Sequence, residues 1–140
     1  RQIKTLHVRM QRHCENCREI AKFLQKHKKI DKVYWPGFKS SRFFGVAKKQ
    51  MKDFGGMLSF IPKGANYQTA EKIIKKMNLF TSAESLGGVE SLVGHPASMT
   101  HASIPKKERE KSGLFDSLIR LSVGIEDIGD LIDDLDAALN

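Results

Sequence analysis

Ile3, Leu6, Met10, Cys14, Cys17, Ala21 and Leu24 recur at steps of three and four through the first 27 residues of this chain. That spacing sets them on one stripe of a long amphipathic helix, Gln2 to about His27. A stripe of that length needs a second layer to cover it. Strand patterns follow at once. Lys29 to Trp35 carries Ile30 and Val33 as apolar anchors and ends in the Pro36-Gly37 turn. After a short helix over Phe43 to Met51, the apolar run Met57 to Ile61 reads as a strand buried on both faces.

Asn66 is the expected N-cap of a helix from Tyr67 to Met77, with Ala70, Ile73, Ile74 and Met77 on its inner side. Strands are then expected over Leu79 to Leu86 and Val89 to Leu92, joined at Gly87-Gly88. Gly94 to Pro105 has little periodicity and reads as a loop. Pro105 starts a short charged helix, Lys106 to Lys111, and Leu118 to Val123 forms the last strand. Asp127 caps a final helix to Leu139 whose buried side holds Ile128, Leu131, Ile132, Leu135, Ala138 and Leu139. Strands and helices mingle without a regular βαβ cadence. The fold class is therefore α+β, an antiparallel or mixed sheet with helices on one side, preceded by the long helix.

With 140 residues and 40% hydrophobic content, one domain with a real core is expected. There is neither an apolar run long enough for a membrane span nor a secretory signal pattern, which points to a cytoplasmic protein. Arg1 stands where Met would be expected, with helical periodicity already running, so the sequence is read as beginning inside a longer one.

The net charge of +8 is divided unevenly, +14 up to Lys111 and −6 beyond it. Most of the basic residues are helix lysines, among them Lys22, Lys26, Lys72, Lys75 and Lys76, and read as solvated faces rather than a nucleic-acid surface. Cys14 and Cys17 have CxxC spacing but no second ligand pair for zinc and no strand leading into a redox helix. They are expected to be packed thiols in a reducing compartment. His95 and His101 on the loop lack a third ligand, so no metal site is expected.

Arg120 is the most informative residue. In Leu118-Ile119-Arg120-Leu121-Ser122-Val123 it shares a face with Leu118 and Ser122, while Ile119, Leu121 and Val123 take the other. A guanidinium there is costly unless paired, and its planar fork matches a carboxylate. Two partners are open: an internal acid such as Asp116 or Glu126, or the carboxylate of a ligand. Glu84-Ser85-Leu86-Gly87-Gly88 is a second constellation, in which a polar pair and two glycines allow close approach of backbone and hydroxyl donors. Neither a nucleophile elbow nor a phosphate loop is present, so no catalytic residue is assigned to this chain.

Three separated segments, Ser85 to Leu92, His95 to His101 and Leu118 to Asp127, resemble the C-terminal signature of the Cys/Met-metabolism enzymes that use pyridoxal phosphate (PLP). Lys4-Thr5-Leu6, Arg9-Met10 and His13 resemble the helix following that family's cofactor domain, and Phe54 to Phe60 its first C-terminal strand region. The resemblance implies that residues 1–140 form the single, small, substrate-binding C-terminal domain of a fold-type-I enzyme. It also implies a homotetrameric whole protein acting on an amino acid, with the large PLP-binding domain supplied by the same polypeptide. By motif position, Arg120 would grip the substrate α-carboxylate, Ser85 would lie beside it, and Thr100 would be a neighbour. Glu84 points to cystathionine γ-synthase first, with cystathionine γ-lyase as the alternative. The cofactor-carrying lysine, the aspartate at the pyridine nitrogen and the phosphate loop have no counterpart here. None of the 17 lysines stands in the required motif, so the chain alone is expected to be inactive. A stand-alone module that kept the fold without catalysis is the remaining reading.

Overall fold

The computed structural model describes residues 2–140; Arg1 lies outside the described residues. A 3₁₀ turn, Gln2–Thr5, leads into α1 (Leu6–Lys26). There follow β1 (Ile30–Tyr34), α2 (Phe44–Gln50), β2 (Met57–Pro62), α3 (Tyr67–Lys76), β3 (Thr81–Ser82), β4 (Leu92–Gly94), α4 (Lys106–Lys111), β5 (Ile119–Ser122) and α5 (Ile128–Leu139). The five strands form one sheet in the order β1-β2-β5-β4-β3. Every pairing is antiparallel except β3 with β4, so the α+β expectation resolves to a mixed sheet.

The caps form where the sequence places them. Asn66 accepts the amide of Thr69, and Asp127 accepts those of Gly129 and Asp130, so orphan donors of the first turns of α3 and α5 are satisfied. Both helices lay their apolar stripes with that of α1 on one face of the sheet. Ile20, Leu24, Leu131 and Leu135 meet Phe60, Ile119, Leu121 and Val93 in a continuous core, each fully buried. A side chain of this size, removed completely from water, contributes about 1.5 to 3 kcal/mol. The three long helices over one sheet face thus supply the helical half of this core.

Cys14 and Cys17 are both buried and unbridged, as packed thiols should be. Burial pushes the Cys17 thiol up to about 12, leaving it protonated and unreactive at neutral pH.

Polar groups of α1 fasten the end of β5. His13 Nδ1 lies 2.6 Å from the carbonyl of Val123 and carries the proton donated to it. Asn16 donates to the carbonyls of Gly124 and Glu126 at 3.1 and 2.8 Å. The chain leaving the sheet is thereby tied to the first helix in the core.

Three expectations require correction. The N-terminal part of the long stripe is uncovered: Ile3, Leu6 and Met10 are 78%, 43% and 40% exposed, because the sheet and α5 reach α1 only from about His13 onward. β2 is buried on one face only. Leu58 and Phe60 enter the core, whereas Met57, Ser59 and Ile61 are half-buried, since no helix layer covers their side. Of the strands expected over Leu79 to Leu86 and Val89 to Leu92, the first shrinks to Thr81–Ser82 and the second moves to Leu92–Gly94, overlapping its expected range only at Leu92 and taking in the first residue of the expected loop. Between them the amides of Gly87 and Ser91 donate to side chains instead of a ladder, and Gly87 takes φ +78°, which breaks extended geometry.

The Asp134 carboxylate organises the link from α3 to β3, accepting the amides of Asn78 and Leu79 at 2.8 and 2.9 Å and that of Phe80 at 3.4 Å. Asp134→Ala orphans these amides and is expected to cost about 2 kcal/mol or more in urea unfolding. A loss near zero would show that water replaces the carboxylate.

Candidate substrate-carboxylate site on the open face of the sheet

Strand β5 lies between β2 and β4, so Arg120 emerges in the middle of the sheet. Its register neighbours on the same face are Ser59 of β2 and Gly94 of β4, two of the smallest side chains available. A Cβ built on Gly94 would sit 3.5 Å from Arg120 Nη2, 3.4 Å from the carbonyl oxygen of Ala83 and 3.8 Å from the Met99 sulfur. Those distances are ordinary van der Waals contact. Glycine at this position thus leaves open a small space bordered by the guanidinium, a backbone carbonyl and a thioether.

The internal partners considered for Arg120 are engaged elsewhere. Asp116 receives Lys106 Nζ and Arg109 Nη2, both at 2.8 Å. Glu126 binds the amide and hydroxyl of Ser91 at 2.6 and 2.9 Å. Among the described residues the Arg120 guanidinium makes neither an ion pair nor a hydrogen bond, and its side chain is half-buried. A half-desolvated guanidinium with five donors and no protein acceptor is suited to bind an anion in its plane.

The Glu84-Ser85 segment is suspended between two fixed points on this face. At one end the Ala83 amide bonds the carbonyl of Val93, setting the Ala83 carbonyl beside the Gly94 and Arg120 space. At the other end the Gly87 amide donates to Ser122 Oγ at 2.8 Å, and Ser122 lies two residues beyond Arg120 on the same side of β5. Glu84 and Ser85 are exposed between these anchors. Thr100 is not drawn in by any comparable contact. It is exposed, and its recorded side-chain partner is His101 Nδ1 at 2.7 Å; its neighbour Met99 is the loop residue nearest the Gly94 space.

Several supporting residues had only a faint signal in the sequence. Ser122 was visible as a face-mate of Arg120, but its role as acceptor for Gly87 depends on a contact across 35 residues. Ser91 is fully buried and passes a hydrogen bond chain from the Gly124 amide to Glu126. Gly124 must be glycine because a Cβ there would collide with the Val89 carbonyl and the Ser91 amide. His95, a loop histidine in the sequence, is buried: its Nε2 donates to the carbonyl of Asp116 at 2.7 Å, which leaves Nδ1 to accept from Ser98 Oγ at 2.8 Å. It is a structural bracket for the loop. No group of three or more potential metal ligands occurs among the described residues.

The lysines lie at the surface of the domain. Sixteen of the seventeen are exposed, and the half-buried Lys29 directs Nζ to the carbonyls of Leu139 and Asn140 at 2.9 and 3.4 Å.

The loop following β4 is fastened by buried Arg109, which donates to the carbonyl of Ala97 and to Asp116. Hydrogen bonding from Lys106 holds the Asp116 carboxyl below the ordinary carboxylate range, helped by the nearby positive charge of Arg109. A depressed folded-state pKa contributes stability that is complete above the unfolded value of about 4 and disappears as pH falls through the folded value. Asp116→Asn should therefore cost stability near neutral pH, and its deficit relative to the native chain should narrow as the pH falls below about 4. A deficit independent of pH, measured by denaturant midpoints from neutral to acid, would remove Asp116 from this role.

The chain is similar to well-characterised proteins over its whole length. The family described as Cys/Met metabolism PLP-dependent enzyme matches residues 1–140. A cystathionine β-lyase of Coxiella burnetii is 55% identical over 139 residues, covering 99% of this chain and 36% of that protein. A cystathionine γ-lyase of Dictyostelium discoideum is 51% identical over 140 residues, covering 100% and 36%. Among solved structures, a cystathionine γ-synthase of Xanthomonas oryzae pv. oryzae in complex with cystathionine superposes with a TM-score of 0.91 at 44% identity, covering 96% of this chain and 35% of that one. The chain thus spans about a third of the length of the relatives it matches. It belongs to the Cys/Met-metabolism family of PLP-dependent enzymes.

Proposed function

We propose that residues 1–140 form the C-terminal substrate-binding domain of a PLP-dependent transsulfuration enzyme, with Arg120 holding the α-carboxylate of an amino-acid substrate. The observation that carries this reading is the unpartnered, half-buried guanidinium between Ser59 and Gly94. Ser85, on the exposed strap between Ala83 and Gly87, would donate to the same carboxylate. Glu84 would face the distal part of the substrate, and Thr100 would border the site through its neighbour Met99. PLP supplies an electron sink for chemistry at the substrate α-carbon. This chain's contribution is to fix the substrate's orientation and to shield one side of it from water.

The span of about a third of the relatives' length supports assigning the cofactor's attachment to the large domain of the same polypeptide. The uncovered stripe of Ile3, Leu6 and Met10 is an apolar face suited to pack against that domain. The whole enzyme is taken to be a cytoplasmic homotetramer. Glu84 admits both γ-replacement of an activated homoserine by cysteine, the synthase reaction first inferred, and γ-elimination from cystathionine. The relatives' names include a β-lyase, a γ-lyase and a γ-synthase, so the synthase reaction stays the first reading and γ-elimination the alternative.

A product assay on the full-length enzyme separates the two, with cysteine and an activated homoserine in one tube and cystathionine in the other. In that enzyme Arg120→Ala should raise KM steeply and lower kcat/KM by about 2 to 4 kcal/mol, the scale of a lost charged hydrogen-bond pair. An unchanged kcat/KM would exclude Arg120 from the site. The 140-residue chain supplied with PLP and either substrate should show neither turnover nor the absorbance of lysine-bound cofactor. Appearance of either would overturn the assignment of the carrier lysine to another domain.

A further inference from the structure

A second concave region lies away from Arg120, where α1 ends, β2 ends and α3 passes the last turn of α5. It is a groove of about 450 Å³, within the range of small-molecule sites. Its floor is apolar: Pro62, Ile73 and Leu139 are all buried. Its rim is entirely cationic among charged groups, with Lys28 and Lys63 on one side and Lys72 and Lys76, one helical turn apart, on the other.

These lysines are set apart by converging on one concavity, since most lysines outside it, Lys48 and Lys49 among them, are also without an ion pair among the described residues. Lys22, Lys75 and Lys106 each have a carboxylate three or four residues away. Lys28, Lys63, Lys72 and Lys76 form no ion pair among the described residues, and no acid lines the groove. Lys29 is already engaged by the carbonyl end of α5. Four like charges around a low-dielectric concavity focus a positive potential into it, and a bound polyanion relieves their repulsion.

We propose that this groove binds a small polyphosphorylated anion, its phosphates bridging Lys63 to Lys72 and Lys76 and its apolar portion resting on Pro62, Ile73 and Leu139. Lysine binds phosphate as a point charge without demanding planar geometry, which suits a ligand with several phosphates. Nucleic acid fits less well. No arginine lines the groove, and its volume of about 450 Å³ takes one small ligand rather than a strand.

The test is calorimetric titration of the full-length enzyme with inorganic tripolyphosphate and, separately, with ATP, at low and at raised salt. One-to-one binding of tripolyphosphate that weakens with salt is expected, and ATP should bind more tightly because it adds an apolar portion. Lys72→Glu with Lys76→Glu should weaken tripolyphosphate by about tenfold or more, about 1.4 kcal/mol. Lys63→Glu, in the turn after β2, repeats the test without altering a helix. Lys48→Glu with Lys49→Glu, an equal charge change on α2 outside the groove, should leave the affinity unchanged. No binding, equal weakening by the α2 control, or binding of a DNA duplex without tripolyphosphate would overturn the proposal. ATP binding no more tightly than tripolyphosphate would overturn the apolar half of it. Loss of binding in Arg120→Ala would move the anion to the face described above and leave the groove without a ligand, whereas a groove that fails to bind says nothing against Arg120.

Discussion

The structure depends on the two-residue alternation of one central strand. β5 lies between β2 and β4, and its side chains point alternately into the helix-covered core and out to the open face. Ile119 and Leu121 join the core formed by all three long helices, while Arg120 and Ser122 are directed to the other side. A register slip of one residue would bury a guanidinium and expose two core side chains, a double penalty that fixes the strand's position. The same packing that stabilises the domain therefore aims its most informative charge.

The open face is organised by hydrogen bonds spanning many residues of chain. Ser122 holds the Gly87 end of the strap, and Glu126 with Ser91 holds the segment just before β4. His13 and Asn16, from the other end of the sequence, secure the carbonyls immediately after β5. Each of these polar groups is satisfied within the protein, whereas the segment from Glu84 to Gly87 is exposed. The geometry separates an unpartnered guanidinium, set between Ser59 and Gly94, from a polar segment whose side chains reach solvent.

Charge is placed with similar economy. The acids of α5 cap its own start and brace the α3 to β3 link, whereas Asp116 closes the base of the loop after β4. Arg120 is left without an acid because the two nearest in sequence are committed to other donors. The basic groove at the far side of the core arises from the opposite circumstance, a cluster of lysines to which the chain supplies no carboxylate. A single net charge of +8 describes neither region.

The sequence by itself determined the helices, their caps, the apolar faces of β2 and β5, the packed cysteines and the prominence of Arg120. These rest on local periodicity and on side-chain contacts within one or two turns. It overestimated the strands around Gly87-Gly88, the two-sided burial of β2 and the reach of the core along α1, because those depend on what lies opposite in space. The choice between an internal salt bridge and a free guanidinium was also beyond local reading. Asp116 and Glu126 were equally available in sequence, and only the tertiary structure, by giving them to Lys106, Arg109 and Ser91, left Arg120 open. A side chain's partner is decided by competition among all groups within reach, and that set exists only once the chain is folded.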